Sequence, residues 1–383
     1  MNNQQKKVMF VFGTRPEAIK MAPVILEMQK FGGELEPVIV LTGQHRQMLD
    51  QVMKVFGLKA DYDLKIMAPN QTITSIITKS LEGLEKVVKK ENPDMILVQG
   101  DTATVFAAGL IAYFHKIPLG HVEAGLRTFD KWQPFPEEMN RTLTTPLADL
   151  HFAPTKTSVQ NLKREHVSAE TIFLTGNTVI DALLDVSKRE YKLKIKLNPK
   201  KKLVLVTTHR RESFGEPLQN TLKALVKLSE EFEAEIEIVL PVHQNPNVKG
   251  PIEKMLGGRP NIKLIPPQDY EPFVHLMKAA YIIISDSGGV QEEAPSLGIP
   301  VLVLREKTER PDAIKFGTVK LVGTDYNLIM KEARKLLTDK KAYDRMSKAT
   351  NPYGDGQASP KIVQAIRYYF KLTKKKPKEF VVS

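Results

Sequence analysis

Short runs of consecutive apolar residues recur along the chain, and most are followed by a segment whose apolar positions have helical spacing. Residues 8–12 predict a first strand and residues 16–31 the helix after it, with Pro16 suited to the first turn of that helix. In the first half of the chain, further strands are predicted at 37–41, 95–98, 117–121, 150–153 and 171–174, and further helices at 48–56 and 103–114. Apolar strands that alternate with helices predict βαβ units and a parallel sheet buried on both faces.

The same alternation starts again after residue 200. Further strands are predicted at 201–207, 236–240, 262–265, 281–285 and 301–304, with a helix at 218–232 after the first of them. Between the two series, a helical pattern at 179–191 leads into a lysine-rich stretch. We therefore predict an α/β protein with two parallel-sheet domains, in which ligands bind at the carboxyl ends of the strands. The first domain is predicted to comprise residues 1–176 with the C-terminal segment 360–383, which includes a helix, and the second residues 177–359.

Composition narrows the class of protein. The chain has 383 residues, of which 42% are hydrophobic, and no apolar stretch approaches the roughly 18 residues of a membrane span. The first apolar run stops at Gly13 without a small-residue cleavage site, so it is interpreted as a strand and not a signal peptide. There is no cysteine, which excludes disulfides and thiolate metal sites and favours a reducing cytoplasm.

The chain is basic, with 56 lysines and arginines against 44 acidic residues and a net charge of +12. Part of the excess lies in two tracts, 192–202 and 371–378, which are interpreted as a solvated linker and tail. Such a balance is compatible with nucleic acid, an acidic membrane surface or an anionic small substrate. Single cations at strand ends favour the small substrate, and no nucleic-acid or membrane partner is predicted.

The first strand ends in a candidate phosphate-binding turn. Gly13 permits a tight turn, and the start of the following helix offers backbone amide groups. Arg15 could bind a phosphate there, and Lys20 follows about one helical turn later. The alternative is a capped turn that carries surface charges.

Carboxylates follow the later strands of the first half. Asp101 comes after the strand at 95–98 and could be either a helix N-cap or a catalytic carboxylate. Glu123 follows the next strand, and Glu137 and Glu138 begin a helix, where the helix dipole alone could account for them. Neighbouring carboxylates raise one another's pKa, so that one of them can act as an acid near neutral pH.

The second half carries different groups at its strand ends. His209 and His243 each follow a predicted strand, but no metal-ligand spacing is present, and no metal is predicted. The segment SDSGGVQEEA at 285–294 opens a helix, and its glycines can bring backbone amides close to a phosphate. Glu293 could accept hydrogen bonds from ribose hydroxyls. The segment matches neither GxGxxG nor the P-loop, so nicotinamide and ATP-loop functions are disfavoured and no cofactor is predicted.

Eight motifs occur in order along the chain: GTRPE, QGDT, HVEAGLRT, PEEMNR, THRRESFG, PVHQNP, SDSGGVQEEAPSLG and TERP. Together they resemble the non-hydrolysing UDP-N-acetylglucosamine 2-epimerases, and the likeness runs from residues 13–20 to NPYGDGQAS at 351–359. The resemblance implies a GT-B-like fold of two Rossmann-like domains facing a central cleft, usually as a homodimer. It also implies interconversion of UDP-GlcNAc and UDP-ManNAc through elimination of UDP to a 2-acetamidoglucal and re-addition. The product would supply ManNAc for cell-surface polysaccharides.

The resemblance assigns roles by position. The family's catalytic groups match Asp101, Glu123, Glu137 and His209. Its UDP-sugar contacts match Arg15, Lys20, Gln268, Phe273, Ser287, Gly288, Gly289, Glu293 and Arg310. A second, activating UDP-GlcNAc would use Gln44, His45, Gln47, Glu138, Arg210 and His243. One position departs, because Asn70 stands where an arginine is expected before Gln71.

Three other functions remain open on the sequence. A GT-B glycosyltransferase would share the fold and the nucleotide site, and a hydrolysing epimerase would release ManNAc and UDP. A sugar-nucleotide-binding regulator would bind without catalysis. The three carboxylates and His209 favour proton transfer at the sugar.

Overall fold

The computed structural model describes residues 5–43, 46–68, 71–208 and 214–382, and at 46–48 the backbone alone. The chain divides into two compact units, the first formed by Met1–Ala182 with Tyr353–Val381 and the second by Leu183–Pro352 with Val382–Ser383. The two boundaries predicted from the sequence lie after residues 176 and 359. Helix α7, Thr178–Ser187, instead begins just after residue 176 and continues through the observed boundary between Ala182 and Leu183.

The described part of the first unit contains one seven-stranded sheet with the order β3-β2-β1-β4-β5-β6-β7, in which every pairing is parallel. Its strands are β1 Lys6–Phe12, β2 Leu35–Leu41, β3 Tyr62–Asp63, β4 Met95–Gln99, β5 Leu119–Val122, β6 Leu150–Ala153 and β7 Ile172–Leu174. The order reverses between β1 and β4, which is the switch point where ligands bind in doubly wound sheets. The predicted parallel sheet is thus confirmed.

Helices cover both faces of this sheet. They are α1 Arg15–Gln29, α2 Arg46–Val55, α3 Ile73–Glu91, α4 Ala103–His115, α5 Glu137–Thr144, α6 Lys156–Arg164, the first part of α7, and α15 Ala358–Tyr369. Threonine hydroxyls cap three of them: Thr72 accepts from the backbone N–H of residue 75, Thr102 from that of 105 and Thr155 from that of 158. The first turn of helix α15 is bound by Asp181 from α7, whose carboxylate accepts from the N–H groups of residues 358 and 359.

The second unit contains a six-stranded sheet within its described residues, in the order β10-β9-β8-β11-β12-β13 and again parallel. Its strands are β8 Lys202–Thr207, β9 Ile236–Pro241, β10 Ile262–Ile265, β11 Ile282–Ser285, β12 Val301–Val303 and β13 Val319–Leu321. Its other helices are α8 Glu216–Glu231, α9 Pro246–Leu256, α10 Tyr270–Ala279, α11 Gly288–Glu293, α12 Pro311–Lys315, α13 Tyr326–Thr338 and α14 Lys340–Ser347. Here the order reverses between β8 and β11, which brings the ends of these two strands side by side.

Each unit has its own hydrophobic core, because apolar strands alternate with helices that have one apolar face. Val8–Phe12 of β1 is fully buried, as the uninterrupted apolar run predicted. In the second unit, β8 and β11 pack against α8 through Leu222 and Leu225, both buried completely. None of the helices in the described ranges combines the length and apolar character that a membrane crossing needs.

Candidate active site

Asp101 and Glu123 follow neighbouring strands of the first sheet. β4 and β5 pair in register with Gln99 opposite Val122, so the two carboxylates leave the sheet at the same edge. Gly100 has φ +79 and donates its N–H to the carbonyl of Val122 at 3.0 Å. Glu123 itself has φ +67, a left-handed conformation that costs a non-glycine residue about 1–2 kcal/mol. The turns that follow the strands therefore direct both side chains.

The carboxyl group of Asp101 lies beside a cation and is poorly hydrated. Arg141 on α5 places Nη2 3.1 Å from Asp101 Oδ2. Asn140, one residue earlier, donates Nδ2 to the carbonyl oxygen of Asp101 at 2.9 Å. Loss of hydration raises the pKa of Asp101 to about 6, with Arg141 opposing the rise and Glu123 adding to it. This carboxyl group can therefore exchange a proton near neutral pH.

Glu123 is held by donors from two other parts of the first unit. Lys20 on α1 forms an ion pair with Glu123 Oε2, and Asn177 donates Nδ2 to the same oxygen at 2.7 Å. The side chain of Glu123 is only 5% exposed. Lys20, which the resemblance assigned to the UDP-sugar, here contacts the carboxylate. Two donors that are distant from Glu123 in sequence thus converge on one of its oxygens.

The two glutamates that begin α5 have different surroundings. Glu137 is partly exposed, and its negative charge lies near enough to Asp101 to raise the pKa of that group. Glu138 is buried, and its carboxylate accepts from the backbone N–H groups of Thr128 at 3.0 Å and Phe129 at 2.9 Å. Glu138 therefore holds the loop before α5, whereas Glu137 lies close enough to Asp101 to influence its ionisation.

The turn after β1 differs from its predicted chemistry. Glu17 is buried, and its carboxylate accepts from the N–H groups of Gly13 at 3.0 Å and Thr14 at 2.7 Å and from the hydroxyl of Thr102 at 2.7 Å. Burial is the main cause that raises the pKa of Glu17. Two of the amides predicted to be available to a phosphate are thus used internally. Arg15, the first residue of α1, is partly buried at this turn.

The second unit presents a glycine turn between β11 and α11. The N–H of Ser287 donates to Ser285 Oγ at 2.9 Å, and Ser285 is bonded in turn to the hydroxyl of Thr207 on β8 at 2.6 Å. A Cβ on Gly288 would lie 2.7 Å from Arg310 Nη1, so the guanidinium packs directly against the start of α11. Arg310 is held there by Glu292 at 2.6 Å.

The remaining predicted contacts of this unit lie around the same helix or at neighbouring strand ends. Glu293 accepts from the hydroxyl of Tyr270 at 3.3 Å, and a Cβ on Gly289 would lie 3.3 Å from Glu293 Oε2. Gln268 donates from Nε2 to the carbonyl oxygen of Pro266 at 2.7 Å, and Phe273 is partly buried on α10. The imidazole of His243, which follows β9, is exposed, and its Nδ1 accepts from the backbone N–H of Asn245 at 3.1 Å.

Some predicted residues fall outside the described part of the chain. They are Gln44, His45, Asn70, His209 and Arg210, together with the side chain of Gln47. Within the described ranges, no group of three or more histidine, aspartate or glutamate side chains is arranged to hold a metal ion.

Four residues of these sites were not predicted from the sequence: Asn140, Arg141, Asn177 and Tyr270. Arg141 lies four residues after Glu137 on one helical face, which was a usable signal. Asn177 and Tyr270 contact partners 54 and 23 residues away, and no local pattern indicates such pairs.

The chain is similar to known proteins over nearly its whole length. The sequence model of the family described as UDP-N-acetylglucosamine 2-epimerase matches residues 27–367. The UDP-N-acetylglucosamine 2-epimerase of Salmonella typhimurium is 52% identical over 376 residues, which cover 95% of this chain and 99% of the relative. A Neisseria meningitidis UDP-GlcNAc 2-epimerase structure with bound UDP-GlcNAc has a TM-score of 0.87 and 48% identity, covering 94% of this chain and 99% of that one. The co-structure of S. aureus MnaA with UDP has a TM-score of 0.89 and 46% identity, covering 98% and 100%. These similarities confirm the predicted GT-B-like fold class.

Proposed function

Because the chain belongs to the UDP-N-acetylglucosamine 2-epimerase family, we propose that it interconverts UDP-GlcNAc and UDP-ManNAc at C2 without net hydrolysis. The observation that carries the proposal is the carboxylate group of the first unit. Asp101 and Glu123 occupy adjacent strand ends, each with a cation beside it. Inversion at C2 needs a proton removed from one face and returned to the other, and such a group can do both.

The proposed reaction has two halves. In the first, the C1–O bond breaks, its electron pair leaves with UDP, and a base takes the C2 proton while the C1–C2 double bond of a 2-acetamidoglucal forms. In the second, an oxygen of UDP re-forms the bond to C1, and an acid protonates C2 from the opposite face. Carboxylates near C1 stabilise the positive charge that develops there. Asp101, Glu123, Glu137 and His209 are the proposed acid–base set.

Asp101 is suited to proton transfer in this set because its pKa is raised to about 6. A group with such a pKa is largely ionised at pH 7 and is still a competent acid after it has accepted a proton. Arg141 keeps that pKa from rising further, which preserves the ionised form that a base requires. Glu123 is hydrogen bonded and ion-paired, and its charge is proposed to act near the anomeric centre.

The second unit is proposed to hold the nucleotide. Arg310 and the backbone of Ser287, Gly288 and Gly289 form a turn with a cation packed on it, which suits the diphosphate as it gains charge on leaving. Glu293 is proposed to bind the ribose hydroxyls, and Gln268 and Phe273 to lie near the uracil. Retention of UDP by these groups distinguishes epimerisation from hydrolysis, because the leaving group must return to C1.

One experiment tests the proposal against its alternatives. UDP-GlcNAc is incubated with the protein in deuterated buffer and followed by NMR. The expected result is UDP-ManNAc, deuterium at C2 and almost no net release of UDP. Stoichiometric free ManNAc and UDP would instead establish a hydrolysing epimerase, and transfer of the sugar to an added acceptor would establish a glycosyltransferase. If neither UDP-GlcNAc nor UDP-ManNAc is converted when the two are supplied together, only a binding function would remain.

The use of the product and the cellular location of the enzyme are also proposed. The product UDP-ManNAc is proposed to supply ManNAc for cell-surface polysaccharide, from a cytoplasmic homodimer. Loss of ManNAc from surface polymers on deletion of the gene, with restoration by the wild-type chain and not by Asp101→Asn, would support that role. Unchanged ManNAc content would contradict it.

A further inference from the structure

Asn177 lies immediately before α7 and makes polar contacts through both its side chain and its backbone. Its Nδ2 donates to Glu123 Oε2 at 2.7 Å, and its Oδ1 accepts from the N–H of Val179 at 3.2 Å. Its own backbone N–H donates to the carbonyl of Tyr353 at 2.6 Å. The side chain is buried, so none of these contacts is weakened by solvent.

These partners fix the orientation of the amide. A backbone N–H can only donate, and an ionised carboxylate can only accept. The oxygen of Asn177 must therefore face Val179, and its nitrogen must face Glu123. Aspartate would accept from the N–H of Val179 equally well, since Asn and Asp are comparable N-caps. Of these two side-chain contacts, the one with Glu123 requires asparagine.

The segment that re-enters the first unit sets the position of Asn177. Tyr353, which accepts from the backbone of Asn177, belongs to the motif NPYGDGQAS, to which the proposed reaction assigns no role. Gly176 has φ +84, and a Cβ there would lie 3.2 Å from the Cα of Gly354. The backbone at Gly176 and the backbone at Gly354 thus approach closely, next to Asn177.

We infer that Asn177 is a positioning residue, anchored by the re-entering segment at Tyr353, which orients the carboxylate of Glu123 and keeps it ionised. The inference rests on the proposed role of Glu123 in the reaction. Lys20 contacts the same oxygen through a flexible side chain, whereas Asn177 is fixed at both its amide and its backbone. The amide therefore supplies the directional contact, and the ammonium supplies charge.

The substitution Asn177→Asp tests this inference. It keeps the cap of α7 but places a second carboxylate against Glu123, and two carboxylates that share a site hold a proton to higher pH. We expect the acidic limb of the kcat profile to move up by about one pH unit or more, which corresponds to about a tenfold loss of kcat below that limb. KM should change little. Asn177→Ser, which also caps but brings no charge, should lower kcat without moving the limb as far.

Two measurements separate positioning from a general structural role. The carboxyl titration of Glu123, followed by ¹³C NMR in wild type and Asn177→Asp, should show the same upward shift. Asn261→Asp is the matched control, because Asn261 is a buried amide of the second unit that donates to the carbonyl of Ser229 at 2.9 Å. This control should lower thermal stability but leave the pH limb in place.

The outcomes are distinguishable from failure of the proposed function. Unchanged titration of Glu123 in Asn177→Asp, or a limb that moves equally in Asn261→Asp, would overturn the inference. If the wild-type protein does not epimerise UDP-GlcNAc, the proposed function fails, and the NMR titration alone then decides whether Asn177 controls the ionisation of Glu123.

Discussion

Arg141 places its guanidinium 3.1 Å from the carboxylate of Asp101, and yet the pKa of Asp101 is raised to about 6. Burial of the carboxyl group and the nearby charges of Glu123 and Glu137 outweigh the cation. If the charge of Arg141 outweighed burial, the pKa of Asp101 would stay low. The carboxylate would then be ionised at all physiological pH values and would be a poor acid. Asp101 is thus set between the two protonation states that the proposed reaction uses.

Substitution of Arg141 by glutamine should raise the pKa of Asp101 further, because removal of a cation disfavours the ionised form. We expect the acidic limb of kcat to shift to higher pH, with activity lost mainly below pH 7 and partly regained at pH 8. The profile of kcat against pH is the measurement. Arg141→Lys retains the charge and should shift the limb less. A glutamine variant with the wild-type limb would contradict this account of Asp101.

Replacement of Asp101 by asparagine should lower kcat by about 100-fold or more, because an amide can neither accept nor return the proton. Affinity for UDP, measured by calorimetry, should remain close to that of the wild type, since most of the proposed nucleotide contacts lie in the second unit. Asp94→Asn is the control: Asp94 pairs with Lys6 just before β4 and should be dispensable for turnover. Near-normal activity of Asp101→Asn would remove Asp101 from the catalytic set.

The two glycines that begin α11 should differ in their sensitivity to substitution. Gly288→Ala would bring Cβ to within 2.7 Å of Arg310 and displace the guanidinium, whereas the nearest atom to a Cβ on Gly289 is Glu293 Oε2 at 3.3 Å. We expect UDP affinity to fall about tenfold or more in the first variant and by a smaller factor in the second. Calorimetric titration with UDP measures both. Equal losses would argue against a role for the Gly288–Arg310 contact.

The resemblance predicts activation by UDP-GlcNAc at a second site. UDP-ManNAc alone should be converted slowly until a trace of UDP-GlcNAc is added, which a continuous assay would record as a lag. Asn70 stands where the family pattern has arginine, so Asn70→Arg should shorten the lag at a given UDP-GlcNAc concentration. Lag-free turnover of pure UDP-ManNAc by the wild type would reject activation.

Much of the sheet architecture was predictable because it depends on local pattern. The predicted strands at 150–153 and 262–265 coincide with β6 and β10, since each is a short and mostly apolar run, which is typical of a strand. The short edge strand β3 was missed, because two residues give no such run. Helix α3 was also missed, although Thr72 at its start and Asn92 at its left-handed end are local signals that could have located it.

The sequence by itself determined the two parallel sheets and the placement of Asp101 and Glu123 at strand ends, because alternation of apolar runs and helices is written locally along the chain. Only the tertiary structure decided which groups contact those carboxylates. Lys20 and Asn177 are 103 and 54 residues from Glu123, and Glu17 takes up amides that the local pattern assigned to a phosphate. Ionisation and orientation of a buried carboxyl group depend on such contacts, and folding alone brings them together.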